Sequence, residues 1–521
     1  MGGLSSRPPA APFRAQRSKD TTATTNRQQK RKKHSIGTPR TAAPYARSHA
    51  PPCAHLPFEH KPCRIALPDG PTQHAPVQPT PHQDGPPRVF VTGLGAVTPI
   101  GLGVPAFTRS LRSGRSGVRL LGPTDLPPNT AGERHPPLET TVIAPCDDFD
   151  AGAVLSEADQ RRLPRLVPMA LQAAQEACRQ AELPVLDALP DRAAQSVALV
   201  LGTGGGGIDF TLQQADLIHH GQSPSLWTIT NATHGNLAGE LSIRLGLKGP
   251  SLCVSDGCAS ASDALALALN LLRSDRPHAP QAAVVIGADA HLRWECLRGM
   301  ELLKVITRRD YTAKPDRAPM ASRPFDRTRE GFVLGEGAWA VVLEREQHAR
   351  QREALPIAEL MGAAATCDAY HRVRPDPSME ESVRAIHEAI DDAGLEPTDI
   401  EAVHYHGTST PLNDTLETAA VKAAFGGHAG RLVGHSVKGA IGHPQGASGM
   451  AAFVATIAAL TSQDEPGRPF ALPTINLGTP DPACDLDYTP NAARPSEART
   501  FLINCLAFGA KNSALVGRVF R

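Results

Sequence analysis

The sequence predicts an α/β layered fold with mainly parallel strands, built as two halves of similar element order. From residue 88 onward, apolar runs of strand length alternate with segments that repeat apolar residues at helical spacing. Glycine and proline residues separate these segments, and the alternation occurs twice, which indicates a duplication. The 521 residues are enough for such a unit, and we predict a first half at 88–345 and a second at 346–521.

The first half starts with a strand and a helix, and its later strands are uniformly apolar. The predicted elements are a glycine-broken strand at 88–99, a helix from about 104, a helix at 164–181, strands at 196–201, 282–288 and 338–343, and a polar loop at 312–320. A glycine run at 202–207 follows one strand, where it could cradle a phosphate. Because the Walker lysine and the GxGxxG helix context are missing, we interpret this run as a tight structural turn.

Cys258 lies at the corner between a strand-like run and a helical pattern. The stretch 249–265 reads GPSLCVSDGCASASDAL, and Gly257 permits a sharp turn beside the cysteine. A thiol at a helix N-terminus meets unpaired backbone N–H groups and the positive end of the dipole, which lower its pKa. A small apolar core cysteine is the alternative, so the stretch alone leaves the role of Cys258 open.

The second half repeats the alternation of strands and helices. The predicted elements are a strand beginning at 357–361, a helix at 382–393, a strand and loop at 402–411, a helix at 417–425, a strand at 433–437, a closely packed helix at 446–460, a strand at 501–504, a loop at 507–510 and a strand at 513–519.

Three stretches of this half carry groups that can assist a thiolate. His406 ends a strand, Lys438 and His443 lie five residues apart, and Phe508 lies among small residues in a C-terminal loop. A thiolate needs a base or a charge partner, and two histidines can donate N–H groups to an oxyanion. His404 and His406 could also indicate a metal pair. No carboxylate or cysteine has matching spacing, so we predict no metal site.

The first 87 residues differ from the rest of the chain. They hold thirteen Lys or Arg residues against four Asp or Glu, are rich in proline, and show no apolar periodicity. Such a segment buries too little apolar surface to offset its ordering entropy, so we predict that 1–87 is disordered. A site for an anionic partner at the basic run 30–33, an organelle address and a start assigned too far upstream are the alternatives.

Composition excludes several classes of protein. The net charge of +1 gives no argument for a nucleic acid partner, and neither a secretory signal nor an apolar run of about 18 residues is present. The ten cysteines include no CxxC pair, which is typical of reduced thiols in a cytosol-like compartment. We predict a cytoplasmic protein without a membrane span, with organelle targeting by the basic extension as the alternative.

Taken together, the motifs from residue 88 to the end resemble those of the β-ketoacyl-acyl-carrier-protein synthases, the condensing enzymes of fatty acid and polyketide synthesis. The motifs are VTGLGAVTP at 91–99, CAS at 258–260, RPFD at 323–326, GFVLGEG at 331–337, HGTSTP at 406–411, Lys438 with GH at 442–443, and FG at 508–509. Each motif alone is a weak match, and all of them in family order are highly specific.

The resemblance implies a thiolase-like fold, in which duplicated α/β halves form a five-layered core. It implies an acyltransferase that performs a decarboxylating Claisen condensation. Cys258 would accept an acyl group from acyl carrier protein, and malonyl-carrier protein would supply the attacking enolate. The implied partners are acyl carrier protein and a second subunit, in a homodimer or a heterodimer with a related synthase. No cofactor is implied beyond the phosphopantetheine of the carrier protein.

The resemblance also implies how charge is stabilised during the reaction. His406 and His443 would donate hydrogen bonds to the thioester carbonyl of the malonyl group and stabilise the developing enolate. The backbone N–H groups of Cys258 and Phe508 would form a second oxyanion hole for the acyl-transfer intermediate.

Four further residues have implied roles around this triad. Lys438 would orient the histidines and pair with Glu417. Thr408 and Thr410 would hydrogen-bond the pantetheine arm, and Phe508 would gate the acyl pocket.

The chain departs from the family pattern at several positions. HY at 404–405 replaces the usual Asn-Ala, AFGAK at 507–511 replaces Gly-Phe-Gly-Gly followed by Thr or Gln, and Gly257 replaces the usual Ala. The loop at 312–320 resembles an insertion, and extra methyl groups restrict the backbone angles of 507–510. These departures concern the acyl substrate more than the reaction, and both fatty acid synthesis and polyketide or polyene synthesis stay open.

Two rival functions share this fold. A chain-length-factor-like partner shapes a heterodimer's pocket without condensing, but such partners typically lack the cysteine that this chain has at 258. A thiolase would need a second catalytic cysteine near the C-terminus. Cys505 is the only candidate, and its position matches a strand residue of the synthase pattern.

Overall fold

A computed structural model describes residues 86–126, 128–129, 131–184, 191–463 and 468–521. The predicted disordered extension, 1–87, and its basic run at 30–33 therefore lie outside the described residues, apart from Pro86 and Pro87. No helix within the described ranges is long and apolar enough to cross a membrane.

The first half contains eight strands and nine α-helices in its described residues. In chain order they are β1 Val89–Thr98, β2 Gly101–Leu102, α1 Val104–Arg112, β3 Arg119–Leu120, β4 Val142–Ile143, α2 Glu157–Gln160, α3 Leu166–Gln180, α4 Asp191–Gln195, β5 Val197–Gly202, α5 Ile208–His219, α6 Thr228–Ala232, α7 His234–Leu245, β6 Ser251–Val254, α8 Ser260–Arg273, β7 Ala282–Asp289, α9 Trp294–Leu302 and β8 Gly337–Arg345.

The second half contains seven strands and five α-helices in its described residues. They are α10 Glu346–Gln351, β9 Ala358–Cys367, α11 Glu380–Asp392, β10 Ala402–His404, α12 Pro411–Phe425, β11 Val433–His435, α13 Lys438–Ile441, α14 Ser448–Leu460, β12 Phe470–Ala471, β13 Arg494–Pro495, β14 Thr500–Ala507 and β15 Lys511–Val519.

Ten strands of the large sheet form two five-stranded units with the same topology. The strand order is β6-β5-β7-β8-β1 in the first half and β11-β10-β14-β15-β9 in the second, and the two units join where β1 pairs with β9. In each unit the first three strands are parallel, and the last two strand pairings are antiparallel. The prediction of mainly parallel strands is therefore wrong: the sheet is mixed, because β8 and β15 run antiparallel to both of their neighbours. The predicted duplication is therefore confirmed, whereas the exact boundary at 345/346 stays a prediction.

Helices complete five layers around these sheets. Helices α8 and α14 pack against each other in the middle and contact strands of both units, while α3 and α7 cover one outer face and α11 and α12 the other. All thirteen residues of α14 are buried. This arrangement is the predicted thiolase-like core.

The glycines of β1 explain how closely α3 lies on the first sheet. A Cβ atom at Gly93 would come within 2.0 Å of the Ala177 carbonyl oxygen, and one at Gly95 within 1.9 Å of the Ala173 oxygen. The glycine-rich motif at 91–99 therefore permits helix and strand to pack almost in backbone contact.

Several predicted elements differ from the structure. Helix α12 starts at Pro411, six residues before the predicted start, because Thr410 caps it and proline suits a first helical position. Part of the predicted loop at 312–320 is a 3-10 helix over Pro315–Met320. The three helices α5, α6 and α7 were not predicted.

Candidate active site

Both halves contribute side chains to one cleft of about 370 Å³. Among its lining residues are six of the predicted site residues: Cys258, His406, Thr408, Thr410, His443 and Phe508. The other two predicted site residues, Lys438 and Glu417, lie buried behind the cleft wall.

Cys258 lies in a 3-10 turn, Gly257–Ala259, immediately before α8. Gly257 adopts a φ of +59°, so the predicted need for glycine at this corner is confirmed. The cysteine is only 3% exposed, and its Sγ lies 3.2 Å from Nε2 of His443. The thiol is therefore within proton-transfer distance of an imidazole.

The prediction that this thiol has a lowered pKa is wrong in its net direction. Burial raises the pKa of Cys258 to about 11, whereas the Lys438 ammonium and a backbone hydrogen bond from Phe508 act to lower it. The helix end acts only locally on the thiol, and the effect of burial is larger. The thiol consequently needs a base to become a nucleophile at neutral pH.

His443 is held in place by the GFVLGEG motif and by α14. Its backbone N–H donates to the carbonyl of Val333, and its carbonyl accepts from the N–H of Gly335. Nδ1 lies 3.0 Å from the hydroxyl oxygen of Ser448. A hydroxyl can donate or accept, so either tautomer of His443 is compatible with this partner.

His406 has one tautomer imposed on it. The Lys438 ammonium donates to the His406 carbonyl at 2.6 Å and lies 3.4 Å from Nδ1. An ammonium group has no acceptor, so the tautomer that accepts from Lys438 at Nδ1 carries its ring proton on Nε2; the Cys505 sulfur is the other group at this nitrogen, 3.5 Å from Nδ1. Burial, together with the Lys438 charge, holds the pKa of His406 well below its usual range. Neutral His406 therefore presents one N–H donor.

Glu417 supports the same histidine from the main-chain side. Its carboxylate accepts from the backbone N–H groups of His406 and Gly407 and from the amide of Asn504. The predicted ion pair between Lys438 and Glu417 is not formed: no ion pair within 4 Å joins them in the described chain. The two side chains instead contact different atoms of the loop that begins at His406.

The HGTSTP loop is fixed by the RPFD motif. Asp414 accepts from the backbone N–H groups of Thr408 and Phe325 and lies 3.4 Å from the guanidinium of Arg329. The hydroxyls of Thr408 and Thr410 are 3.0 Å apart on the cleft wall. Two polar groups are thus held rigidly beside the path to Cys258.

An ion pair on one side and backbone hydrogen bonds on the other hold the Phe508 loop. Lys511 forms an ion pair with Asp256 beside the nucleophile corner. On the other side, Gly509 donates to the Arg372 carbonyl and the Ala510 carbonyl accepts from Asp368 N–H. Ala510 has a φ of +64°, a left-handed conformation that is unfavourable for a residue with a Cβ atom.

The thiolase interpretation of Cys505 lacks support from its position. Cys505 lies in β14 as predicted, and its Sγ–H points at the Cys258 carbonyl oxygen, 3.2 Å away. It is not among the residues that line the cleft. Burial raises the pKa of its thiol further than that of Cys258.

One group of donors in the described residues has a spacing that could hold a metal. The donor atoms of Cys258, His406 and His443 lie within 4.8 Å of one another. His404, the other half of the metal pair considered from sequence, points away from them and contacts Thr456 at 3.1 Å.

Three residues at the site were missed by the sequence argument. Ser448 contacts His443, and Gln445 lies 3.8 Å from the Cys258 sulfur. Asp289 accepts from backbone N–H groups of the glycine turn at 202–207 and of Gly446, so it links the two halves next to His443. Only the closeness of Gln445 and Ser448 to His443 in sequence could have indicated them.

Comparison with known sequences agrees with this geometry. Residues 87–349 match the family described as beta-ketoacyl synthase, N-terminal domain, and residues 357–468 match beta-ketoacyl synthase, C-terminal domain. The chain is 35% identical to 3-oxoacyl-[acyl-carrier-protein] synthase 2 of Synechocystis sp. over 83% of its length and 98% of that protein. It is 34% identical to the protein of the same name from Coxiella burnetii, over 83% of this chain and 99% of that one.

Solved structures show the same likeness. A beta-ketoacyl synthase from Burkholderia phymatum aligns with a TM-score of 0.73 and 27% identity, over 84% of this chain and all of that one. A ketosynthase solved in complex with its type II polyketide synthase acyl-carrier protein, bound to a hexaketide, aligns with a TM-score of 0.72 and 26% identity over the same shares.

Proposed function

The chain belongs to the β-ketoacyl synthase family, and from that premise we propose that Cys258, His406 and His443 carry out its condensation. The reaction joins an acyl group on the enzyme to a malonyl group on acyl carrier protein, with loss of carbon dioxide. The observation that supports these assignments is the convergence of the three donor atoms within 4.8 Å in one cleft.

The first half-reaction moves the acyl group from the carrier protein to Cys258. His443 Nε2, 3.2 Å from Sγ, accepts the thiol proton, because Ser448 permits the tautomer that leaves Nε2 free. The sulfur attacks the thioester carbon, and the pantetheine thiol leaves with the proton. The backbone N–H groups of Cys258 and Phe508 stabilise the tetrahedral oxyanion.

The second half-reaction uses both histidines as donors. When the malonyl carboxylate leaves as carbon dioxide, negative charge develops on the thioester oxygen, and the N–H groups of His406 and His443 stabilise it. The enolate carbon then attacks the acyl carbonyl. The bond to the Cys258 sulfur breaks, and the extended 3-oxoacyl group leaves on the carrier protein.

The surroundings of the cleft fit a substrate carried on a long flexible arm. Thr408 and Thr410 supply hydroxyls along its wall, and Lys304, Arg374 and Lys511 supply positive charge. We place the pantetheine arm between the threonines. No cofactor beyond that arm takes part, and the reaction is placed in the cytoplasm.

The second subunit is proposed to pair at strand β6. This strand lies at the edge of its sheet, and Leu252 on it and Ile243 nearby are exposed, the latter at 76%. An unpaired edge with apolar side chains is a ready interface for another chain of the same fold.

The test is turnover of malonyl-carrier protein by the purified chain and its Cys258→Ala and Cys258→Gln variants. Mass spectrometry should show the wild type acylated at Cys258 and both variants unacylated. The assignment fails if the wild type, given a panel of acyl donors, neither becomes acylated nor releases carbon dioxide. A non-catalytic partner role is indicated instead if only a mixture with a second synthase is active and Cys258→Ala leaves that activity intact.

A further inference from the structure

Beside the Cys258 corner lies a second cavity of about 450 Å³, called here the second pocket, whose lining includes the adjacent residue Gly257. Its wall includes Gly257, Leu212, Met300, Leu303 and Gln445. Leu303 also lines the cleft, so the two cavities adjoin around the nucleophile corner. An acyl group on Cys258 has this pocket available for its chain.

Gln445 is a buried polar side chain on this mostly apolar wall. It is 6% exposed, and its Nε2 has no hydrogen-bond partner among the described residues. Its Oε1 lies 3.8 Å from Sγ of Cys258, farther than His443 Nε2 at 3.2 Å, which takes the thiol proton. The amide therefore lies beside the first few carbons of any acyl chain attached to that sulfur.

The backbone prevents Gln445 from turning away. Its φ is +44°, and the next residue, Gly446, donates to the buried carboxylate of Asp289 at 2.6 Å. Ser448, three residues on, begins the fully buried helix α14. The amide nitrogen is therefore held facing the pocket, where an acyl chain on Cys258 would meet it.

We propose that Gln445 selects acyl groups that carry an oxygen on the third carbon, a 3-oxo or 3-hydroxyacyl chain, over saturated chains. This inference depends on the proposed acylation of Cys258. Nε2 of Gln445 has no partner among the described residues, and a saturated chain on Cys258 would supply none, whereas an oxygen at the third carbon accepts from Nε2. When such a chain is extended again, the product keeps the oxygen that was on its third carbon.

The test measures acylation of Cys258 by three four-carbon donors on carrier protein: butanoyl, 3-hydroxybutanoyl and 3-oxobutanoyl. Rates are followed by mass spectrometry of the intact protein, without malonyl donor. Wild type should load at least one oxygenated donor about 10-fold faster than butanoyl, and Gln445→Met, which keeps the length of the side chain, should abolish that preference.

Gln214→Met is the matched control. It removes another buried amide, which accepts from the Ser225 N–H and lies outside both cavities, so the ratio between donors should not change. Thermal melting confirms that each variant is folded, and Gln445→Leu serves if Gln445→Met is not.

The outcomes separate the two proposals. If no donor acylates wild type, the proposed function itself fails. If all three donors load and the ratios of wild type and the Gln445 variant agree within twofold, Gln445 does not select the chain and only this inference is overturned. A preference shown by just one of the two oxygenated donors identifies the oxygen as a ketone or a hydroxyl.

Discussion

At the scale of single residues, the two site histidines differ in what holds their second nitrogen. Lys438 can only donate, so it fixes His406 as an Nε2–H donor, whereas the Ser448 hydroxyl leaves His443 free to act as acceptor and donor in turn. His443 alone is within reach of the Cys258 sulfur. The geometry thus assigns proton transfer to one histidine and charge stabilisation to both.

Replacing Lys438 by methionine should separate these functions. Without the ammonium, His406 can adopt the other tautomer and lose its donor, so decarboxylation of malonyl-carrier protein should fall about 100-fold. The pKa of Cys258 should rise further, because Lys438 acts to lower it. Release of carbon dioxide and the pH profile of thiol alkylation measure the two effects.

Lys422→Met is the control for this change. Lys422 is exposed and paired with Asp485, away from the cleft, so its loss should alter neither quantity. Equal decarboxylation rates in Lys438→Met and wild type would contradict the tautomer argument.

The sequence was informative about which residues meet but not about how they pair. Motif order was sufficient to predict Cys258, His406 and His443 at one site. The ion pair of Lys438 with Glu417, which the resemblance implied, is not formed, because a motif match does not show which atoms of His406 each side chain reaches. The pKa of Cys258 was also wrong in direction, since burial depends on elements that lie more than a hundred residues away.

At the scale of elements, the crossing of α8 and α14 depends on one glycine. A Cβ atom at Gly449 would lie 2.0 Å from the hydroxyl and 2.8 Å from the backbone nitrogen of Ser262. Gly449→Ala should therefore destabilise the fold by about 1–3 kcal/mol through overpacking. Urea unfolding measures the loss.

Gly239→Ala provides the contrast, because Gly239 lies inside helix α7 with open space around its Cβ position. Alanine there should stabilise the protein by up to about 1 kcal/mol. If both alanines had the same effect, close packing of α8 and α14 would not be the cause.

The loop after β14 yields a second comparison between variants. Ala510 is in the left-handed region and Ala507 is in strand β14, so glycine relieves strain only at 510. Ala507→Gly should cost about 0.5–1 kcal/mol of unfolding free energy, and Ala510→Gly clearly less. Equal losses in thermal melting would show that the Ala510 conformation is not strained.

Element prediction succeeded where one face of a segment is apolar and failed where tertiary packing decides. The helix predicted at 164–181 matches α3 closely, because its periodicity is local. Helices α5 to α7 carry the exposed apolar residues Ile218, Ile229 and Ile243, which blur the contrast between inner and outer faces. The early start of α12 depended on capping, which a search for periodic residues does not consider.

At the scale of the whole molecule, a set of buried histidines predicts sensitivity to acid. Burial lowers the pKa of His404, His406, His435 and His443, in the case of His435 to about 3. Below the unfolded value near 6.5, the unfolded chain binds protons that the folded chain does not. Stability is therefore full above pH 6.5 and should fall by about 1.4 kcal/mol per pH unit for each histidine as the pH decreases.

Urea unfolding between pH 8 and pH 5 measures this slope. His435→Asn should make it shallower, because one of the four groups is removed. His291 acts in the opposite sense, since the Asp289 carboxylate overcomes the effect of burial and raises its pKa. Stability that is constant from pH 7.5 to pH 5 would contradict the prediction.

The position of β15 has a consequence for how the protein is made. This strand, Lys511–Val519, lies between β14 and β9, in the interior of its sheet, and it follows both in the chain. During translation, β9 must wait for about 150 further residues before its neighbour leaves the ribosome. Until then β14 and β9 lack the strand that pairs with both of them, and no strand follows the Phe508 loop. A nascent chain therefore carries Cys258 about 250 residues before the strand that completes the sheet beside the Phe508 loop, so the reaction chamber is closed only after β15 has been made.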